Sequence, residues 1–175
     1  LLRGSEGSPA VVLFHHYGAD RSHVLDLGVK INESTNFTIL MPDLRGHGMD
    51  PLVSRTSFGG CESQDAASSV EFLKGLKTET NEAFVGQNIG FYGIELGALA
   101  ALSAASKDDS IKALVLDSVP TNSDQVVRSS IHERFPFLSS FTSRLAKYGT
   151  YLYFYDNCFE HGSSCEFAQN IQNKK

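Results

Sequence analysis

Cysteine is scarce in this chain of 175 residues: three, at positions 61, 158 and 165, are too few for a disulfide framework. Cys158 and Cys165 are close enough in sequence to pair in an oxidising compartment, and two free thiols are the plainer expectation. No apolar run approaches the roughly 20 residues that span a bilayer. No signal-peptide pattern stands at the start. Lys and Arg nowhere cluster, and the net charge is −5, which disfavours nonspecific binding to nucleic acid or to an anionic membrane. No set of His, Cys, Asp and Glu has metal-ligand spacing. No loop of the G-x-G-x-x-G kind is present to hold a phosphate, so neither a metal nor an organic cofactor is implied. Internal repeats, low-complexity tracts and Pro-rich linkers are absent as well. What remains is a soluble globular protein whose compartment stays open, with the cytoplasm favoured.

The length suits a single domain over residues 1–175, able to bury roughly 70% of its unfolded surface. Four apolar runs read as strands: Ala10–His15, Phe37–Met41, Ile89–Tyr92 and Ile111–Leu116. Apolar residues at both parities suit strands covered on both faces, as in a parallel sheet. Helical patterns lie between them at Ser22–Asn32, Ser63–Leu76 and Leu96–Ser106. The alternation predicts an α/β domain, a three-layer α/β/α sandwich on a mainly parallel sheet with right-handed crossovers. The core is expected within about residues 10–120. Residues 121–175 read as a cap or a sheet cover, with helices near Ser123–Glu133, Leu138–Lys147 and Ser164–Asn173. "YLYFYDNCF", residues 151–159, is either a strand or a segment packed over a cleft.

The segment "GFYGIELGALAAL", Gly90–Leu102, carries the most chemistry. A strand runs into a sharp turn framed by Gly93 and Gly97, and a small-residue helix follows. Such a frame holds its central residue in a strained conformation and thrusts the side chain into a cleft. The flanking residues must be small because strand and helix approach closely. The helix N-terminus leaves free N–H groups beneath the reacting atom. Here the central residue is Glu95.

"HHYGAD", His15–Asp20, follows the first strand, "PDLRGHG", Pro42–Gly48, follows the second, and "SFGGCESQD", Ser57–Asp65, opens the next helix. Together with the Gly93 frame, in this order and spacing, they make the chain resemble the α/β-hydrolase family over about Ala10–Pro120. The resemblance implies acyl transfer to water by a serine, histidine and acid triad, on a small-molecule acyl substrate. It puts Glu95 at the nucleophile position of the elbow. It implies oxyanion donors from the backbone N–H groups of Leu96 and Tyr17. His15 is expected to support the oxyanion loop by hydrogen bonding, and His16 to face the cleft. Family members often read His-Gly where this chain has His15-His16.

Two departures bear on activity. Glutamate is one carbon longer than the aspartate that related dehalogenases and epoxide hydrolases use as nucleophile. The expectation is that the Glu95 carboxylate folds into its own oxyanion hole and stays ionised there. The triad acid and histidine are also not evident. Asp117 ends the fourth strand, where some relatives carry an alternative acid, but a structural role is the plainer one. His161 lies in a Gly-Ser-Ser loop, His47 holds a turn, His23 and His132 belong to the surface, and Ser63 and Ser118 have no nucleophile context. Phe135, Phe137, Phe141, Tyr151 and Tyr153 either line an apolar acyl site or, for most of them, pack the core. A sheet ending at Ile111–Leu116 leaves an apolar edge. Either the aromatic tail covers it, or the chain, which begins Leu-Leu-Arg and ends at Lys175, belongs to a longer or self-associating protein. Three functions stay open: a hydrolase impaired by Glu95 and by the missing triad members, a non-catalytic binding or assembly protein on the same fold, and a carboxylate-nucleophile hydrolase using Glu95.

Overall fold

The computed structural model describes residues 1–134, 139–154, 158–159 and 161–171. Four strands, β1 (Ala10–Phe14), β2 (Thr38–Leu40), β3 (Ile89–Ile94) and β4 (Ile111–Asp117), form one all-parallel sheet in the order β2-β1-β3-β4. The crossovers carry α1 (Leu25–Thr35), α2 (Glu62–Gly75) and α3 (Leu96–Ala105). A single 3₁₀ turn, Arg21–Val24, leads into α1, with Asp20 as its N-cap accepting from the Ser22 N–H. The α/β reading therefore holds, with the ends of these strands and crossover helices displaced by at most three residues.

The two faces of the sheet are filled unequally. Ala10, Val12, Phe14, Ile89 and Phe91 pack with Ala66, Val70 and Leu73 of α2 and with α3. Phe14 and Phe91 meet edge to face at 5.1 Å. On the other face Leu13 and Ile39 pack with Leu27 and Ile31 of α1. That helix covers β1 and β2, where the expectation of burial on both sides is met. It is not met at β4. There burial stops at Ile111, and Val115 is 60% exposed. β4 is the sheet edge, and no described helix lies over its Val115 face. Its opposite face is covered by the tail: Phe167 and Ile171 pack with Leu99, Leu102, Leu114 and Leu116.

Three further helices follow the sheet: α4 (Ser123–Arg134), α5 (Ser139–Phe154) and the short α6 (Ser164–Gln169). α6 begins in a capping box between Ser163 and Glu166. α4 and α5 pack on each other, joined by an ion pair of Lys147 with Asp124. Helix α5 runs seven residues past its expected end, so Tyr151–Phe154 is helical rather than a strand. Tyr155, Asp156 and Asn157 lie outside the described residues.

The cysteine reading is overturned. Cys158 is bonded to Cys61, 97 residues away, and Cys165 is free and exposed. Sequence proximity suggested the Cys158–Cys165 pair, but the fold brings the tail to the loop before α2 instead. Phe159 lies so close to Gly60 there that a Cβ on Gly60 would come within 2.2 Å of its ring. Among the described residues, no helix is long and apolar enough to cross a membrane.

Candidate functional site

The turn from β3 to α3 is sharp. Glu95 sits in it with φ 47° and ψ −107°, a conformation that costs a non-glycine residue of order 1–3 kcal/mol. Its neighbours hold it there. The Glu95 N–H donates to the Asp117 carbonyl at 2.9 Å, and its own carbonyl accepts from Leu99 N–H at 3.0 Å. Both flanking glycines are required by contact. A Cβ on Gly93 would lie 2.5 Å from the Gly97 carbonyl oxygen, and one on Gly97 would lie 2.6 Å from the His15 carbonyl oxygen. The helix that follows is small and entirely buried from Leu96 to Ala105, which lets it seat against the sheet.

The Glu95 side chain is exposed and makes no hydrogen bond to the start of α3. The expectation that it folds back onto the Leu96 amide is therefore not met. Glu95 instead lines a cleft at this end of the sheet.

That cleft has a volume of about 960 Å³. Glu95, His16, Tyr17, Phe58 and Ser118 line it, with α4 and Ala146 of α5 on the far side. The loop after β1 is held by its histidines. His15 is fully buried, and its Nε2 accepts from the Leu44 N–H at 3.1 Å. Nδ1 must then carry the proton, which it donates to the His16 carbonyl at 2.8 Å. Burial disfavours the imidazolium and moves the His15 pKa below its ordinary value of 6.5; the nearby His47 works in the same direction. His15 thus ties "HHYGAD" to "PDLRGHG". The His16 ring stays at the cleft, with Nδ1 2.8 Å from the Tyr17 carbonyl. Tyr17 is half-buried, stacked on Phe58 at 5.4 Å and edge-on to His47 at 5.5 Å. His47 closes its own turn by a 2.8 Å contact from Nδ1 to the Arg45 carbonyl.

Asp117 is exposed at the end of β4, and its carboxylate accepts from Ser118 Oγ at 2.8 Å. Ser118 has φ 55° and lines the cleft. Nothing in the sequence marked it, because its position beside Glu95 follows only from the β3–β4 pairing of Ile94 with Asp117. His23 and His132 are exposed, as expected, although His23 meets the His16 ring edge-on at 5.1 Å. His161 is exposed beside Phe159 and does not line the cleft.

Of the five aromatics proposed for an acyl site, Phe135 and Phe137 lie outside the described residues, as do the side chains of Phe141 and Tyr151. Tyr153 is 56% exposed under the Arg55 guanidinium, 4.6 Å from its ring centre. It lines a separate hollow of about 560 Å³ beside Cys158, so it neither packs the core nor faces the cleft.

A second structural centre was missed. Glu62 is fully buried at the start of α2. Its Oε1 accepts from Thr56 Oγ1 and Ser57 N–H, and its Oε2 accepts from Ser57 Oγ at 2.5 Å and from the N–H groups of Gly59 and Cys61. Asp65, one turn on, holds Arg45 through Nε and Nη2. The spacing of Ser57, Glu62 and Asp65 in "SFGGCESQD" was the available signal. These two carboxylates fix the loop that carries Phe58 into the cleft.

A parallel sheet with a βαβ crossover at each step, a strained residue between β3 and α3, and a cleft at the C-terminal ends of the strands define the α/β-hydrolase fold, present here in part. Solved structures agree. An esterase from Pyrococcus furiosus matches over 86% of this chain with TM-score 0.61 and 24% identity. An α/β-hydrolase from a Penicillium species matches over 83% with TM-score 0.59 and 20% identity. A lipase-esterase related protein from Clostridium acetobutylicum matches over 77% with TM-score 0.52 and 18% identity. The chain spans 57%, 49% and 53% of those three chains respectively. Comparison with protein-family models and with curated proteins finds no match.

Proposed function

We propose that the chain carries the scaffold of an ester, thioester or peptide hydrolase with Glu95 in the nucleophile position, and that hydrolysis by this chain is impaired. The observation that carries the reading is Glu95 itself. It occupies a strained, glycine-flanked turn at the mouth of a cleft, where a nucleophile would sit, and its side chain has no hydrogen-bond partner among the described residues. The Leu96 and Tyr17 amides are the proposed oxyanion donors, with Gly93 and Gly97 setting the turn and His15 holding the loop. A base would have to reach the reacting atom. Among the described residues, the imidazole that lines this cleft is that of His16. The esterase names of the structural neighbours support ester chemistry as the parent activity.

The test compares p-nitrophenyl acetate hydrolysis by the native chain, Glu95→Ser and Glu95→Gln. The expected result is a native rate equal to buffer and a rate above buffer for Glu95→Ser, because preorganised donors alone leave a residual catalysis of roughly 10³-fold. A serine variant as inert as the native chain would remove the catalytic scaffold reading. It would leave the second one, a binding protein that uses the cleft, which the unpartnered carboxylate at a formed cavity favours. Activity in the native chain that disappears in Glu95→Gln would assign the nucleophile to the carboxylate.

A further inference from the structure

The groups around the cleft have an uneven supply of donors and acceptors. Ser129 Oγ donates to the Gln125 and Val126 carbonyls, Ser130 Oγ donates to the Val126 carbonyl, and Ser118 Oγ donates to Asp117. Each hydroxyl hydrogen is thereby occupied, while the oxygen keeps lone-pair capacity. Glu95 is the one formally charged residue among the described residues lining the cavity, and it forms neither an ion pair nor a hydrogen bond through its side chain. Lys147 on α5, next in sequence to the lining residue Ala146, is already held by Asp124. Tyr17 and Phe58, stacked at 5.4 Å, and Val126 supply an apolar wall. An anion would meet an uncompensated carboxylate here, and the donors that remain at the lining, the Gln125 carboxamide, the Tyr17 hydroxyl and the His16 ring, carry no formal charge to offset it. A group rich in N–H donors, positively charged and attached to an apolar body, matches both halves of the cavity.

We propose that this cleft binds a small organic ammonium ion, with Glu95 as its counter-ion, the serine oxygens as acceptors and the Tyr17–Phe58 wall against its apolar body. The proposal rests on the reading that Glu95 stands in a formed but impaired site. It adds the class of ligand that the exchange from a hydroxyl to a carboxylate selects.

Benzylammonium is a suitable probe, with benzyl alcohol as its neutral isostere and benzoate as its anionic counterpart. Titration by calorimetry and by amide NMR shifts on the native chain is expected to rank benzylammonium about fivefold to tenfold above benzyl alcohol, the size supplied by one exposed ion pair with a ring contact. Benzoate is expected not to bind. The preference should shrink with added sodium chloride, because the carboxylate is exposed and screened. Glu95→Gln should abolish the preference, and Tyr17→Ala should weaken amine and alcohol alike. Equal binding of the three probes, a preference insensitive to both salt and Glu95→Gln, or no binding by a protein with a folded circular dichroism spectrum would each overturn the proposal. The salt series uses the native chain, so it stands even if a variant fails to fold. The outcome is also separable from hydrolysis: an active Glu95→Ser variant with no ammonium preference in the native chain would sink this inference and leave the proposed function intact.

Discussion

Gly97 and His15 meet backbone to backbone: a methyl group on Gly97 would stand 2.6 Å from the His15 carbonyl oxygen and 2.7 Å from Phe14 Cβ. This contact seats α3 against β1 and brings the Leu96 amide and the loop after β1 to the same end of the sheet. The first prediction follows from it. Alanine at position 97 would gain about 1 kcal/mol in helix propensity. The overlap is with backbone atoms that cannot rotate away, so the clash prevails. Gly97→Ala is expected to lose on the order of 3 kcal/mol, read as a lowered urea midpoint with unchanged slope. A midpoint equal to native would show that the helix has room to shift.

Glu62 provides a second test. Both of its oxygens accept from donors, so the amide nitrogen of Glu62→Gln must face an N–H or O–H group in either orientation. The variant is expected to lose on the order of 3 kcal/mol, although its shape is nearly conserved. A loss below about 1 kcal/mol in equilibrium unfolding would contradict the buried network.

The Cys61–Cys158 bond closes a separation of 97 residues, and the chain-entropy model assigns such a loop roughly 4–5 kcal/mol. Reduction is expected to lower the melting temperature substantially. Thiol titration of the native chain should give one reactive group, Cys165, and three after reduction in denaturant. Three reactive thiols without reductant would show the bond to be absent.

His15 sets a pH dependence. Its pKa is depressed in the folded protein, so below its ordinary value of 6.5 the unfolded chain binds a proton that the folded one refuses. Stability then rises with pH across that window and falls as the medium is acidified from 6.5 towards the folded pKa. NMR should show a neutral His15 with the proton on Nδ1 persisting below pH 6.5. His15→Asn should flatten that part of the stability profile; an unchanged slope would assign it to other groups.

Much of this architecture was legible in local pattern. The β-branched runs at Ala10 and Ile111 and the small helix after Glu95 each obey a short-range rule, and they recur in the structure within a residue or two. The turn at Glu95 was legible because its two glycines lie between an apolar strand pattern and a small-residue helix pattern. What escaped was long-range. Glu62 looks like an ordinary acidic residue at a helix start until five donors converge on it. Ser118 has no motif and reaches the cleft only because β4 pairs with β3. The exposure of Val115 could not be inferred from an apolar strand, since it depends on where α1 ends up.

The sequence by itself determined the alternation of strands and helices and the glycine geometry that places residue 95, because these follow from side-chain periodicity and backbone sterics over a few positions. Tertiary structure alone decided which cysteines pair, that the Glu95 carboxylate makes no hydrogen bond to the start of α3, and which hydroxyls keep free lone pairs at the cleft. Those outcomes depend on contacts between segments tens of residues apart. Their energies come from burial and from hydrogen-bond partners that no local stretch of chain contains.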